Sequence, residues 1–280
     1  MNATEIVVTL YRGLLALMKE NKIPVTLRTS SVVGTVQDDP FDCWIGDILK
    51  SILPESFEIV HAGKLTTPDI VIRDKKSGTI IGLEIKKLIQ LSNGNDPRGN
   101  TIDYNSCLPC GKTMIKVDAD TVEIPCYYLF ALLDPSSTAI VSLIIMDGDF
   151  LNYDFAIHKE SKYANYSEYN HGPYGEGSVR HRRMYTYPNP LNSKISKFYL
   201  RFILVLKKID LERIDDAVAI TEQIIRTDKY SNSFYYLLLD ESKQSERNTG
   251  DLPTLKGIFD SCKTRKPKER TAAFVTLNKQ

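Results

Sequence analysis

The sequence has no long uninterrupted apolar run and contains few cysteines. None of its hydrophobic stretches approaches the ~20 residues that a helix needs to cross a bilayer. Its 5 cysteines are an odd number scattered over 280 residues, and Cys107 and Cys110 form a CxxC pair without a second pair beside it. This arrangement argues against both a disulfide framework and a zinc module. We therefore expect reduced cysteines and a cytoplasmic location.

An excess of charge of one sign is also missing. The chain carries 36 Lys and Arg against 35 Asp and Glu, a formal net charge of +1, so any surface for a polyanion has to be a local basic patch. With 42% hydrophobic and 25% charged residues, the composition is that of an ordinary globular protein. We expect one domain over residues 1–280. The first twenty or so residues have helical apolar spacing with interspersed charges, which predicts an amphipathic helix and not a signal peptide.

The most informative segment is PDIVIRDKKSGTIIGLEIK, which begins at Pro68. It contains a Pro-Asp step, a strand, a polar turn and a second strand with Glu84 and Lys86. Residues two apart on a strand lie on the same face, and the turn can return Glu84 towards Asp69. Paired carboxylates bind hard cations such as Mg²⁺, and a neighbouring lysine can act on a water or stabilise charge on a phosphate. The pattern indicates metal-dependent hydrolysis of a phosphodiester.

An ordinary interpretation of the same segment is a surface hairpin with an exposed glutamate and lysine, which sheets often contain. Other catalytic patterns are missing from the sequence. The 4 histidines form no HNH or HxH arrangement, and no GxSxG elbow is present. The choice therefore lies between a metal-dependent phosphodiesterase site and a structural hairpin.

Asp69, Glu84 and Lys86 resemble the D…ExK signature of the PD-(D/E)xK nuclease superfamily, best known from type II restriction endonucleases. The resemblance implies that Asp69 and Glu84 bind Mg²⁺ and that Lys86 assists the attacking water. Upstream, Asp39 and Pro40 predict the start of a helix, on which Asp42 is similar to the acid that completes the metal site in such enzymes. The alternative for Asp42 is a first-turn acid favoured by the helix dipole. The resemblance covers roughly residues 38–112.

The resemblance implies an α/β fold with a mixed central β-sheet flanked by helices, here a restriction-endonuclease-like core with a long loop insertion. The catalytic core is expected over about residues 38–150. The implied activity is site-specific hydrolysis of double-stranded DNA that leaves 5′-phosphate ends. The implied partners are a second copy of the chain, as a homodimer on a palindromic site, and a cognate DNA methyltransferase. Alternatives are a structure-specific repair or junction nuclease, or a non-catalytic DNA-binding protein on the same fold.

Two segments are candidates for DNA contact. The first is a loop after the catalytic strand, with Asn105, Ser106 and Lys112, where related restriction enzymes have similar Asn-Ser loops. The second is the insertion over about residues 158–194, which is rich in tyrosine and glycine and contains three clustered arginines: Arg180, Arg182 and Arg183. Arginine forks can contact guanine edges or phosphates. The alternative is a surface loop in which these arginines pair with nearby glutamates.

Further strands are expected from apolar runs in the second half of the chain. Cys126–Leu133 and Ala139–Met146 are separated by a turn signal and predict neighbouring strands of a hairpin. Strands are also predicted at Phe198–Leu206 and Phe234–Leu239, with a helix at Asp215–Arg226 between them.

Overall fold

The structure is a computed structural model, which describes residues 1–20, 40–61, 68–93, 112–136, 139–151, 202–214, 222–226, 232–238 and 275–278. It contains two longer helices, α1 (Ala3–Lys19) and α2 (Pro40–Ile52), and two short ones, α3 (Gly148–Leu151) and α4 (Lys208–Leu211). Its ten strands are β1 (Phe57–His61), β2 (Ile70–Asp74), β3 (Ile80–Ile89), β4 (Lys112–Val117), β5 (Asp120–Leu133), β6 (Ile140–Asp147), β7 (Phe202–Lys207), β8 (Glu222–Arg226), β9 (Asn232–Leu238) and β10 (Thr276–Leu277).

The two longer helices lie where the sequence predicts helices, and α2 also begins at the predicted residue. At α1 the side chain of Asn2 accepts a hydrogen bond from the Glu5 backbone N–H at 2.9 Å, and the Glu5 carboxylate accepts one from the Asn2 backbone at 2.7 Å. This reciprocal capping box satisfies two of the free N–H groups at the helix start. Helix α2 begins at Pro40, whose fixed φ suits the first helical position.

The strands form a mixed sheet in the order β1-β2-β3-β5-β6-β7-β9-β8. The pairs β3·β5 and β6·β7 are parallel and the other neighbours in this order are antiparallel. The expected mixed sheet flanked by helices is therefore confirmed, as is the β5–β6 hairpin. The predicted helix at Asp215–Arg226 is wrong over its last five residues, because Glu222–Arg226 is a strand that pairs with β9.

Strand β5 belongs to two layers. Its second half, from Cys126 onwards, pairs with β3 in the main sheet, whereas its first half pairs with β4, which also pairs with β10. We call β4, the first half of β5 and residues 275–277, which include β10, the arm. Apolar residues of the arm, Ile115, Ile124, Val275 and Leu277, share a small core with Val71 of β2. The arm therefore covers part of one face of the sheet.

The main core lies on the other face of the sheet. Apolar residues of both longer helices, including Leu10, Phe41 and Ile45, share this core with Leu83 and Ile85 of β3. Alternation along β3 consequently places Glu84 and Lys86 on the arm side. Within the described ranges, no helix is long and apolar enough to span a membrane. The predicted insertion at residues 158–194 lies outside the described residues.

Candidate active site

The structure brings Asp69, Glu84 and Lys86 together on the predicted hairpin. Strands β2 and β3 are antiparallel with Ile70 opposite Leu83, which sets Asp69 level with Glu84. The Asp69 Oδ2 atom accepts a hydrogen bond from the Ile85 backbone N–H at 2.6 Å. The Lys86 Nζ atom donates to Glu84 Oε1 at 2.5 Å. The two carboxylates and the amine thus form one compact group on the arm side of the sheet.

Gly82 allows Pro68 to approach the second strand of the hairpin. A Cβ atom at Gly82 would lie 2.8 Å from Pro68 Cγ and 3.0 Å from Cys126 Sγ, which is closer than carbon and sulfur atoms pack. The absence of a side chain therefore lets three strands meet closely at the level of the Pro-Asp step. This contact fixes the backbone immediately before Asp69.

Glu84 is buried, with only 2% of its surface exposed. The parallel register sets Tyr128 beside Glu84 and Phe130 beside Lys86, and register partners lie on the same face of a sheet. Both aromatic side chains are fully buried, and their rings stack with centroids 5.7 Å apart. The Glu84 carboxyl group therefore has an apolar boundary, and the alternative of an exposed surface hairpin does not fit.

Burial has a strong effect on the acidity of Glu84. Removal from water, together with the negative charge of Asp69, raises the pKa of Glu84 from 4.5 to about 8, although Lys86 acts in the opposite direction. Burial and the Asp69 charge thus favour the protonated form of this carboxyl group more than water does, and Lys86 favours the ionised form. A second positive charge beside Glu84 favours the ionised form.

The second carboxyl oxygen of Glu84 fits a cation ligand. Within the described part of the chain, Glu84 Oε2 is buried and has no hydrogen-bond partner. Buried polar atoms are normally paired, and carboxylate oxygens are preferred ligands of Mg²⁺. Asp69 and Glu84 are two candidate ligands of this kind. No group of three or more acidic, histidine or cysteine side chains that could hold a metal is present among the described residues.

The other predicted site residues are only partly placed. Asp42 lies in the first turn of α2, but its side chain is outside the described set, so its role as a third ligand stays a prediction. Lys112 begins β4 on the exposed side of the arm, with its Nζ atom 2.8 Å from Glu123 Oε1. The remaining candidates for DNA contact lie outside the described residues: Asn105, Ser106, Arg180, Arg182 and Arg183.

Some features of the site are not apparent from the motif. Tyr128 and Phe130 belong to a run that predicts a buried strand, but only the register shows that they flank Glu84 and Lys86. Thr113 is fully buried on the arm, and its hydroxyl also has no hydrogen-bond partner in the described part of the chain. A threonine in a strand is common, so nothing in the sequence marks it.

Comparison with protein-family models, with curated proteins and with solved structures found no match for this chain.

Proposed function

We propose that the protein is a Mg²⁺-dependent endonuclease that cleaves double-stranded DNA at a specific short site, as type II restriction endonucleases do. The observation that carries the proposal is the state of Glu84. Its carboxyl group is 2% exposed, one oxygen contacts Lys86, and the other has no partner within the described residues. Such a group is costly for a purely structural hairpin and useful for binding a cation.

Asp69 and Glu84 would hold the Mg²⁺ ion. The ion would supply positive charge that polarises the phosphate and lowers the pKa of a bound water. The backbone N–H of Ile85 fixes the orientation of Asp69 before any ligand arrives. Such preorganisation removes the need to reorient the carboxylate during the reaction.

Lys86 is proposed to act on the attacking water. Its side chain is 24% exposed, so the amine lies between the buried Glu84 and the solvent. From there, Lys86 can orient the water or stabilise the charge that develops on the phosphate as the P–O bond breaks. If the bond between phosphorus and the 3′-oxygen breaks, as the resemblance to the nuclease superfamily implies, in-line attack of water gives a 5′-phosphate and a 3′-hydroxyl.

Site-specific cleavage of both strands adds further proposals. A palindromic target is most simply read by a two-fold homodimer, which provides one active site for each strand. The basic segment with Arg180, Arg182 and Arg183 is proposed to contact the DNA. A cytoplasmic enzyme of this kind needs a cognate DNA methyltransferase to protect the host genome.

Digestion of a sequenced plasmid tests this function, with Mg²⁺ or EDTA and with two lysine variants. Lys86→Ala removes the amine next to Glu84. Lys87→Ala is the matched control, because Lys87 is the next residue along the strand and its Nζ atom lies 5.7 Å from the centre of the Phe41 ring on the other face. We expect discrete fragments from the unmodified protein and from Lys87→Ala, and at least about 10²-fold slower cleavage by Lys86→Ala.

The other outcomes separate the alternatives. Metal-dependent cleavage without discrete fragments, but with preference for branched or damaged DNA, supports a repair or junction nuclease. An intact plasmid in every lane, together with a mobility shift of DNA, supports a non-catalytic DNA-binding protein.

A further inference from the structure

A second buried oxygen lies on the same side of the sheet as the candidate active site. Within the described part of the chain, Glu84 Oε2 and Thr113 Oγ1 are the buried side-chain polar atoms that have no hydrogen-bond partner. Thr113 is fully buried. Since buried polar atoms are normally paired, each of these two atoms is a candidate for contact with a ligand.

The arm determines the side on which Thr113 lies. Residues two apart on a strand share a face, so Thr113 lies on the same side of β4 as Ile115. Ile115 packs in the small core with Val71. Val71 and Asp69 are also two apart, so the Thr113 side of the arm and the Asp69 side of the sheet face each other.

The anchoring of β10 supports the same arrangement. Arg73, also on the Asp69 face of β2, donates a hydrogen bond from Nη2 to the Asn278 backbone oxygen at 2.9 Å. Its Nε atom donates to Glu58 at 2.8 Å. Arg73 is only 8% exposed. The end of the hairpin near its turn is therefore covered by the arm. Asp69 and Glu84 lie at the opposite end of the small core.

Thr113 lies at the end of the arm that is nearest to the active site. Strand β4 begins with Lys112, opposite Pro125, and Thr113 is opposite Ile124. Cys126, which follows Pro125 in β5, pairs with Gly82, two residues before Glu84. The Cys126 sulfur and Pro68 both approach Gly82, so this end of the arm adjoins the Pro-Asp step.

We propose that Thr113 is a positioning residue for the cation site at Glu84, an inference that rests on the proposed function. A threonine hydroxyl both donates and accepts hydrogen bonds, whereas an ionised carboxylate only accepts them. Mg²⁺ in proteins usually keeps several of its waters. Thr113 would hold a water of this hydration shell, and Glu84 would bind the ion itself. The substrate phosphate is then contacted from the open, Lys86 side.

The test compares Thr113→Val with Thr113→Ser and with a matched control, Thr121→Val. Valine keeps the shape of threonine and removes the hydroxyl, serine keeps the hydroxyl, and Thr121 is an exposed residue of the same arm. Calorimetric titration with Mg²⁺ measures the affinity, urea unfolding in EDTA measures the stability, and plasmid cleavage measures the activity. The affinity does not depend on turnover, so it reports on the site separately from catalysis.

We expect Thr113→Val to be at least as stable as the unmodified protein in EDTA, because a buried unpaired hydroxyl is removed. Its affinity for Mg²⁺ should fall about tenfold, as for partners that orient metal ligands. Thr113→Ser should restore most of the affinity, and Thr121→Val should leave it unchanged.

Two results overturn the inference in distinguishable ways. If the unmodified protein binds Mg²⁺ and Thr113→Val binds it equally well, the inference is wrong and the proposed function stands. If the unmodified protein neither binds Mg²⁺ nor cleaves DNA, the proposed function fails and the inference fails with it. Weak binding by both Thr113→Val and Thr113→Ser also contradicts the inference, since the hydroxyl is then not the relevant group.

Discussion

Asp74 and Glu84 are buried carboxyl groups of the same hairpin, each only 2% exposed, and their pKa values shift in opposite directions. Asp74 accepts hydrogen bonds from the amino terminus at 2.7 Å, from the Ser77 hydroxyl at 2.7 Å and from the Lys76 backbone at 3.0 Å. These contacts, led by the amino terminus and Ser77, lower the pKa of Asp74 to about 2. Burial and the charge of Asp69 instead raise the pKa of Glu84 to about 8.

The difference distinguishes a carboxylate that stabilises the fold from the proposed cation ligand. Asp74 has donors for both of its oxygens, so the protein stabilises its ionised form and uses it to hold the turn. Glu84 is placed against aromatic rings and has one oxygen without a partner in the described residues. Glu84 thus has one cationic partner, Lys86, on one oxygen, and a divalent cation could bind at the other oxygen.

The largest expected effect concerns activity. Glu84→Gln keeps the shape of the side chain and removes the charge that would bind the cation, so Mg²⁺-dependent plasmid cleavage should fall by about 10³-fold or more. Asp74→Asn is the matched change at the other buried carboxylate and should cleave at close to the unmodified rate. Equal loss of activity in the two variants would contradict the distinction between Glu84 and Asp74.

The second prediction concerns the pH dependence of the free energy of unfolding, measured by urea unfolding in EDTA. The pKa of Glu84 is higher in the folded protein than its ordinary 4.5, so the folded state binds the proton more tightly. The free energy of unfolding should then fall as the pH rises from about 4.5 to about 8, by up to about 1.4 kcal/mol per pH unit. Glu84→Gln should remove this decline. A wild-type profile that rises through the same window contradicts the account.

The smallest expected effect concerns the turn. Asp74→Asn weakens three hydrogen bonds and should lower the free energy of unfolding at pH 7 by about 1–2 kcal/mol. Because the pKa of Asp74 is depressed from 3.8 to about 2, its contribution is complete above pH 3.8 and is lost as the pH falls through 2. The difference between Asp74→Asn and the unmodified protein should therefore shrink in acid. A constant difference down to pH 2 would point to a packing defect instead.

Local signals explain what could be predicted from the sequence. The Pro-Asp step, the polar turn and the alternation around Glu84 predict the hairpin and the shared face of Glu84 and Lys86, and both are confirmed. The start of α2 at Pro40 follows from similarly local chemistry. In each case, the determining residues are neighbours in the chain.

The burial of Glu84 and the role of Asp74 could not be predicted, because both depend on distant residues. The aromatic neighbours of Glu84 come from β5, and one donor to Asp74 is the amino terminus, 73 residues away. The error in the predicted helix at Asp215–Arg226, which is shown for its last five residues, has a related cause. Its last five residues include two isoleucines, a β-branched type that pairs well in sheets, and pairing with β9 overrides the local pattern.

The proposal that Glu84 binds a cation is tested most directly by calorimetric titration of the protein with Mg²⁺ at pH 7, in two buffers that differ in heat of ionisation. If Glu84 is protonated before binding and ionised afterwards, close to one proton should be released for each ion bound. Asp74→Asn should behave in the same way, and Glu84→Gln should bind far more weakly and release no proton. Binding without proton release, or equal binding by Glu84→Gln, would contradict the assignment of Glu84 as a ligand of the cation.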